Sequence, residues 1–402
     1  MKLPARPNQY AAAAPSRRHA STSLTALCLG GALMLAACGS GSDPESSAAE
    51  AGGGGGGGEE AEVPEGYPDS YGDLIEASRE EGPLDIYSIM AEEDWAPVLE
   101  AFGEKYPWIE VRTLDLGTTE VFERYYAESA TSADTADMIV SIASDGWQRF
   151  MDRGEMMTYD SPEVPNLPDW STAWADAGLY LISADPFGII YNEAALPEGT
   201  EPPASLADIV DMVSADPDFF NGKISTYAVD AQWGMFWAIA DHLGEDFWDA
   251  MDTLSPALRY EASGGAMGEK LASGEYVLSF YAPLSTIPRG SGEFVKFSTM
   301  SDGQPISDRG IAITDKADSP NAAKLLIDFI VSEEGQSLIP EMERVPYRES
   351  VAESVTAEGG IHYNSLLEQV AEDEIIQMGP NEAILGDGEY DRILQGFADL
   401  GQ

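Results

Sequence analysis

The strongest constraint on this chain is an alternation that begins at Leu84. "LDIYS" (84–88) is a short buried-strand pattern, and Trp95, Val98, Leu99 and Phe102 then recur at helical spacing, giving one apolar face long enough to cover a sheet. "PWIEVRTLDLG" (107–117) reads as a second strand and "TTEVFERYYAESA" (118–130) as a second helix. "ADMIVSIA" (136–143) reads as a third strand, feeding "SDGWQRFMDRGEM" (144–156). Strands that alternate with helices in this way form a parallel sheet with helices on both faces. A short helix from Tyr71 to Glu81 precedes the series, with Leu74, Ile75 and Ser78 inward, and Gly82-Pro83 stops it.

Beyond residue 177 the pattern changes. "GLYLISADPFGIIYNEAALP" (178–197) is a long extended run, broken at Asp185-Pro186, and reads as a crossover between two lobes. Ser205 and Asp208 form a capping-box pattern ahead of Leu206, Ile209, Val210 and Val213. "MGEKLASGEYVLSFYAPL" (267–284) predicts a helix, a turn at Gly274 and a strand. Residues 308–336 predict a strand and then a helix capped by Ser319, with Pro320 at its first position and Leu325, Leu326, Phe329 and Ile330 buried. No internal repeat exists beyond the alternation itself. The roughly 335 residues after the N-terminal region suffice for two ordinary domains. Eight tryptophans, 17 tyrosines and 44% hydrophobic residues supply their cores.

The N-terminus has a different character. Lys2, Arg6, Arg17 and Arg18 precede an apolar run from about Leu24 to Ala37, too short to span a bilayer comfortably. This is the layout of a secretory signal peptide over residues 1–37. The run ends in Leu35-Ala36-Ala37-Cys38 followed by Gly39 and Ser40, which resembles the lipobox of bacterial lipoproteins. That resemblance implies cleavage before Cys38 and lipid on its thiol, hence anchoring to the membrane. Ser16-Arg17-Arg18 echoes a twin-arginine signal, but Ala20 and Ser21 match it poorly, so both export routes stand open. Residues 38–66 are mostly Gly, Ser, Ala and Glu, with seven glycines at 52–58, and cannot bury enough apolar surface to offset ordering entropy. Such a linker spans roughly 30 Å, at about 5–6 Å times the square root of its length. The second cysteine, Cys28, leaves with the signal, so the mature body has neither disulfide, thiol nucleophile nor cysteine metal site.

The formal charge is −50, with 71 acidic against 21 basic residues. Phosphate backbones would be repelled, so nucleic acid is excluded as a partner. The distributed acidity suits either a saline environment or a well-solvated secreted surface. No G-x-S-x-G, H-E-x-x-H or Walker loop is present, nor any G-x-G-x-x-G outside the glycine run at 52–58, and histidine is nearly absent from the body. A secreted hydrolase using paired carboxylates is therefore a distant alternative. No cofactor is expected.

"LIEASREEGPLDIYS", "VLEAFGEKYPWIEV", "AESATSADTADMIVSIASDGW", "IIYNEAALP", "SGGAMGEKLASGEYV" and "RGIAITDKADSPNAAKLLIDFIVSEEGQ" follow one another in an order that resembles the solute-binding proteins of ATP-binding-cassette importers. The resemblance is to the type 2 periplasmic-binding-protein fold, ferric-iron-type group, and covers nearly everything after residue 70. It implies an α/β protein of two lobes, each a mostly parallel sheet flanked by helices, joined by crossover strands and closing on a ligand. By that mapping lobe one is 70–184 plus 308–342, and lobe two is 185–307 plus 343–402. It further implies a monomeric receptor, a membrane permease as partner and an extracellular or periplasmic location.

In sheets of this kind ligands bind beyond the carboxyl ends of the strands. The junction residues are Tyr87, Ser88 and Met90 after the first strand, Thr118 and Thr119 behind Gly117, and Ser144 and Asp145 after the third. In the other lobe Ser263, Gly264 and Gly265 precede a helix. Free N–H groups at helix starts with hydroxyls beside them suit a small oxyanion or polar organic solute, such as a phosphonate or sugar phosphate. Trp233 and Tyr281 are candidates to wall the ligand, and Arg289, Arg309 and Arg348 either to clamp an oxyanion or to neutralise a local carboxylate cluster, the second reading being preferred for Arg289. Ferric iron is the alternative. The resemblance implies two adjacent tyrosines for it, but Tyr276 and Tyr281 stand five apart and Tyr125-Tyr126 lies mid-helix. His242 and His362 have no metal-ligand spacing, so no metal ligand is assigned.

Overall fold

The structure is a computed structural model that describes residues 63–131, 133–287 and 294–401. The signal peptide, Cys38, most of the linker and Arg289 lie outside the described residues. The first alternation runs α1 (Tyr71–Ser78), β1 (Leu84–Ser88), α2 (Glu92–Lys105), β2 (Val111–Asp115), α3 (Glu120–Ser129), β3 (Met138–Ser141) and α4 (Ser144–Asp152). Then come β4 (Leu179–Asn192), α5 (Leu206–Ala215), α6 (Pro217–Phe220), β5 (Ile224–Tyr227), α7 (Trp233–Leu243), α8 (Glu245–Leu254), β6 (Leu258–Glu261), α9 (Gly264–Ser273) and β7 (Leu278–Pro283). The chain closes with β8 (Val295–Ser298), β9 (Gln304–Ile313), α10 (Pro320–Val331), α11 (Glu333–Leu338), α12 (Ala352–Ala357), α13 (Tyr363–Leu367), β10 (Ile375–Gln377) and α14 (Glu389–Asp399).

The strands pair in the order β2-β1-β3-β9-β4-β7-β5-β6, with β10 on β9 and β8 on β4. The β1–β2, β1–β3, β5–β6, β5–β7 and β9–β10 pairs are parallel, whereas β3–β9, β4–β9, β4–β7 and β4–β8 are antiparallel. The sheet is thus mixed. Parallel strands lie on either side of the antiparallel strands β4 and β9. The sequence suggested a break at Asp185-Pro186, but none occurs. Instead β4 passes through it and changes partner, from β9 at 179–186 to β7 at 187–191. Proline brings no backbone N–H, so the switch falls where the ladder loses a donor anyway.

Side-chain alternation along the strands fills two faces of the first region. Ile86, Met138, Val140, Ile311 and Ile313 meet Trp95, Val98 and Phe102 of α2 and Leu325, Leu326 and Phe329 of α10. Tyr87, Ile139 and Ala312 meet Val121, Phe122, Tyr125, Trp147 and Phe150 of α3 and α4. Val98 and Phe102 are fully buried, and each side chain of that kind contributes roughly 1.5–3 kcal/mol. A separate core gathers Phe187, Ile189, Phe236, Phe247, Leu278, Phe280, Ile393 and Phe397. Residues 343–366, expected with the second lobe, put Val345, Tyr347, Tyr363 and Leu366 into the first core. Ile376, Met378 and Ile384 belong to the second.

The start of α10 is capped from a distance. The Glu81 carboxylate accepts the N–H groups of Asn321 and Ala322 at 3.0 and 2.8 Å, and Asp137 accepts those of Asp318 and Ser319 at 2.7 and 2.8 Å. The Ser319 hydroxyl, expected to cap, instead donates to the carbonyls of Gly82 and Pro83. Ser205 does cap α5, accepting the Asp208 N–H at 2.9 Å. Among the described residues no helix is long and apolar enough to cross a membrane.

Candidate functional site

Four strand-to-helix junctions converge on a cavity of about 300 Å³. Thr118 and Thr119 come from β2–α3, and Ile142 to Asp145 from β3–α4. Residues 230–235 come from β5–α7, and Ala262 from β6–α9. Ser307 of β9 and Met378, just after β10, complete the lining. Walls therefore come from the carboxyl ends of strands on both sides of the crossover.

Local chemistry holds these junctions in place. Ser141 Oγ donates to the Thr118 carbonyl at 2.8 Å and accepts the Ala143 N–H at 3.2 Å, while Trp147 Nε1 donates to the Ser141 carbonyl at 3.0 Å. These bonds tie the α3 and α4 starts together. Gly146 permits the contact: a Cβ there would stand 2.5 Å from the Phe122 ring. Ser144 Oγ donates to the Met378 carbonyl at 2.8 Å, joining the first region to the second across the cavity.

Three helices begin at this cavity without a side-chain cap. Their cap residues are Thr119 for α3, Ala143 for α4 and Gln232 for α7, and no cap side chain takes up an N–H group. The first N–H groups of a helix have no partner within it, and the helix dipole adds partial positive charge. The ends of α4 and α7 thus offer donors to an oxygen-rich molecule. By contrast α9 is capped by its own Ser263, which accepts the Ala266 N–H at 3.3 Å. Two carboxylates share the lining. Asp145 is tied to Arg149 of its own helix at 2.6 Å, and Asp230 is exposed at the rim. No lysine, arginine, tyrosine or histidine lines the cavity among the described residues. Trp233 sits half-buried at the start of α7, edge-on to Tyr390 with ring centroids 5.2 Å apart.

Of the residues named from the sequence, the fold gathers Thr118, Thr119, Ser144, Asp145 and Trp233 at the cavity. Ser263, Gly264 and Gly265 adjoin Ala262 but do not line it. A Cβ on Gly264 would come 2.9 Å from both Thr286 Oγ1 and the Tyr227 hydroxyl. The first-strand residues go elsewhere. Ser88 is fully buried, and its hydroxyl accepts the Met90 N–H and Trp95 Nε1–H, both at 3.0 Å. Met90 packs in the first core. Tyr87 donates to Glu128 under the Arg124 guanidinium, in a separate surface depression with Arg112 and Asp134, and burial with the Glu128 charge pushes its phenol up. Tyr281 is sealed in the second core with φ 51°, and burial raises its phenol strongly.

The arginines proposed as clamps serve internal pairs. Arg309 holds the Asp185 carboxylate at 2.9 and 3.1 Å, and burial pulls its guanidinium down to about 10 against that partner. Arg348 donates to Glu163 at 2.6 Å and to the Val331 carbonyl at 2.9 Å. Among the described residues no group of three or more His, Cys, Asp or Glu side chains is placed to hold a metal ion. Tyr276 hydrogen-bonds Glu261 and Lys270 rather than the cavity.

Sequence reasoning missed Asp230, Gln232, Ser307 and Met378. The missed β5–α7 junction had a signal, "ISTY" (224–227) followed by Asp230, but four residues are too few to separate a strand from other apolar runs.

Residues 98–363 match the profile of the family described as bacterial extracellular solute-binding protein. The chain belongs to that family. No curated protein sequence matches this solute-binding protein significantly. Its fold is shared with the substrate-binding protein of an ATP-binding-cassette transporter from Agrobacterium tumefaciens, at 19% identity and TM-score 0.70 over 82% of this chain and 97% of that one. The periplasmic binding protein AfuA from Actinobacillus pleuropneumoniae, with exogenous fructose-6-phosphate bound, is similar at 18% identity and TM-score 0.60, covering 79% and 98%. Iron-bound HitA from Pseudomonas aeruginosa is similar at 18% identity and TM-score 0.59, covering 80% and 99%.

Proposed function

We propose that this family member is a lipid-anchored receptor that captures a small oxygen-rich solute and passes it to the permease of an ATP-binding-cassette importer. The solute class is a sugar-phosphate-like or phosphonate-like oxyanion. The observation that carries the reading is the convergence of uncapped helix starts, from both sides of the crossover, on one cavity. Their N–H groups suit anionic oxygens without a cationic side chain. Asp145, Asp230 and Gln232 suit the hydroxyl donors of a polyol. The fold shared with AfuA, whose structure holds fructose-6-phosphate, agrees with this class. Iron, which the HitA structure holds, finds no phenol in the described lining to serve as a hard donor.

Anchoring rests on Cys38 and its lipobox-like setting. A tether shared with the importer's membrane raises the receptor's effective concentration beside the permease. Cys38→Ser is expected to release the body into the medium, and continued membrane association of that variant would remove the anchor from the reading. A thermal-shift screen with fructose 6-phosphate, inorganic phosphate, a phosphonate, spermidine and ferric citrate tests the solute. A rise in melting temperature with the oxyanions is expected, whereas a rise with ferric citrate alone would transfer the assignment to iron.

A further inference from the structure

The cavity contains a hydroxyl that the fold itself does not employ. Ser307 lines the cavity, is 1% exposed, and its Oγ has no hydrogen-bond partner. Nearby hydroxyls behave differently: Ser141, Ser144 and Thr314 donate to the carbonyls of Thr118, Met378 and Ala136. A serine hydroxyl rotates freely to find an acceptor, so a buried one without a partner needs a reason. Asp185, opposite Ser307 in the β4–β9 register, is already engaged by Arg309, Ser183 and the Val345 N–H.

We propose that Ser307 is a solute-contacting residue, its hydroxyl on β9 donating to an oxygen of the molecule held in the cavity. This rests on the reading of that cavity as the solute site. The helix starts supply N–H groups from the walls, and Ser307 adds a donor from the floor. A solute with an oxygen reaching the floor is favoured over one that ends short of it. β9 pairs with β4, the strand that runs on from the first core into the second, so the contact engages the crossover rather than either side alone.

Calorimetric titration of wild type and Ser307→Ala with inorganic phosphate and with fructose 6-phosphate, alongside ligand-free melting curves, tests the assignment. The alanine variant is expected to melt within about 2 °C of wild type without solute, since no internal bond is lost, and to bind about tenfold more weakly. Weakening with both solutes places the contact on a phosphate oxygen, and weakening with fructose 6-phosphate alone places it on the sugar. Unchanged affinity for both overturns the role of Ser307 and leaves the proposed function standing. A large fall in the ligand-free melting temperature also overturns it, because the hydroxyl would then have a structural partner. Wild-type protein that binds neither solute takes the proposed solute class and this assignment down together.

Discussion

Asp328 and Asp308 are both buried carboxyls, 1% and 2% exposed, yet their surroundings differ sharply. Asp328, in the middle of α10, accepts hydroxyl hydrogens from Tyr71 at 2.9 Å, Tyr159 at 2.6 Å and Ser161 at 2.5 Å. Burial pushes its pKa up to about 6 while these donors hold it back. Asp308, next to Ser307 on β9, takes a bond from the Gln377 amide and keeps one oxygen without a partner. Burial and the neighbouring Asp185 charge raise it to about 7. At Asp328 the chain supplies a full set of donors, whereas Ser307 and Asp308 on β9 each keep a polar atom without a partner.

The largest expected effect comes from Asp328→Ala, which leaves the hydroxyls of Tyr71, Tyr159 and Ser161 without this acceptor and costs about 3 kcal/mol in urea denaturation at pH 7. A loss below that of Asp308→Ala would break the comparison. Asp308→Asn is expected to act with the opposite sign. The folded protein keeps the Asp308 proton up to about pH 7, whereas an unfolded aspartate releases it near about pH 4. The folded state therefore binds more protons across this window, and stability falls as pH rises through it. Removing the charge should raise stability at pH 8 by about 2 kcal/mol and flatten the pH profile between about 4 and 7. A profile as steep as wild type would show that the carboxyl is not the source. The smallest effect is Tyr159→Phe, expected to cost about 1 kcal/mol for one lost donor to Asp328. An effect near zero would mean that Tyr71 and Ser161 suffice.

Much of the fold was legible because its signals are local. "LDIYS" is β1 residue for residue, Ser205 caps where its spacing says, and Gly274 ends α9 at φ 75°. The cavity was legible only in part. The Thr118-Thr119 and Ser144-Asp145 junctions follow from strand order, but Ser88 looks the same in sequence and is buried beneath Trp95. What separates them is the neighbour across the sheet. β1 is flanked by β2 and β3, and its end is covered by α2, whereas the β3 end faces Met378 from the far end of the chain. Ser307 was illegible for a related reason: nothing local distinguishes a strand serine with an acceptor from one without.

The passage of β4 from β9 to β7 without interruption has a mechanical meaning. A pair of regions strung on one hydrogen-bonded ribbon bends like a leaf spring, with the strain shared along many peptide units, rather than swinging on a single soft joint. Neither region can come apart without unzipping the ribbon that also supports the other, so heating the protein ought to produce one calorimetric peak where two independently hung bodies would give two.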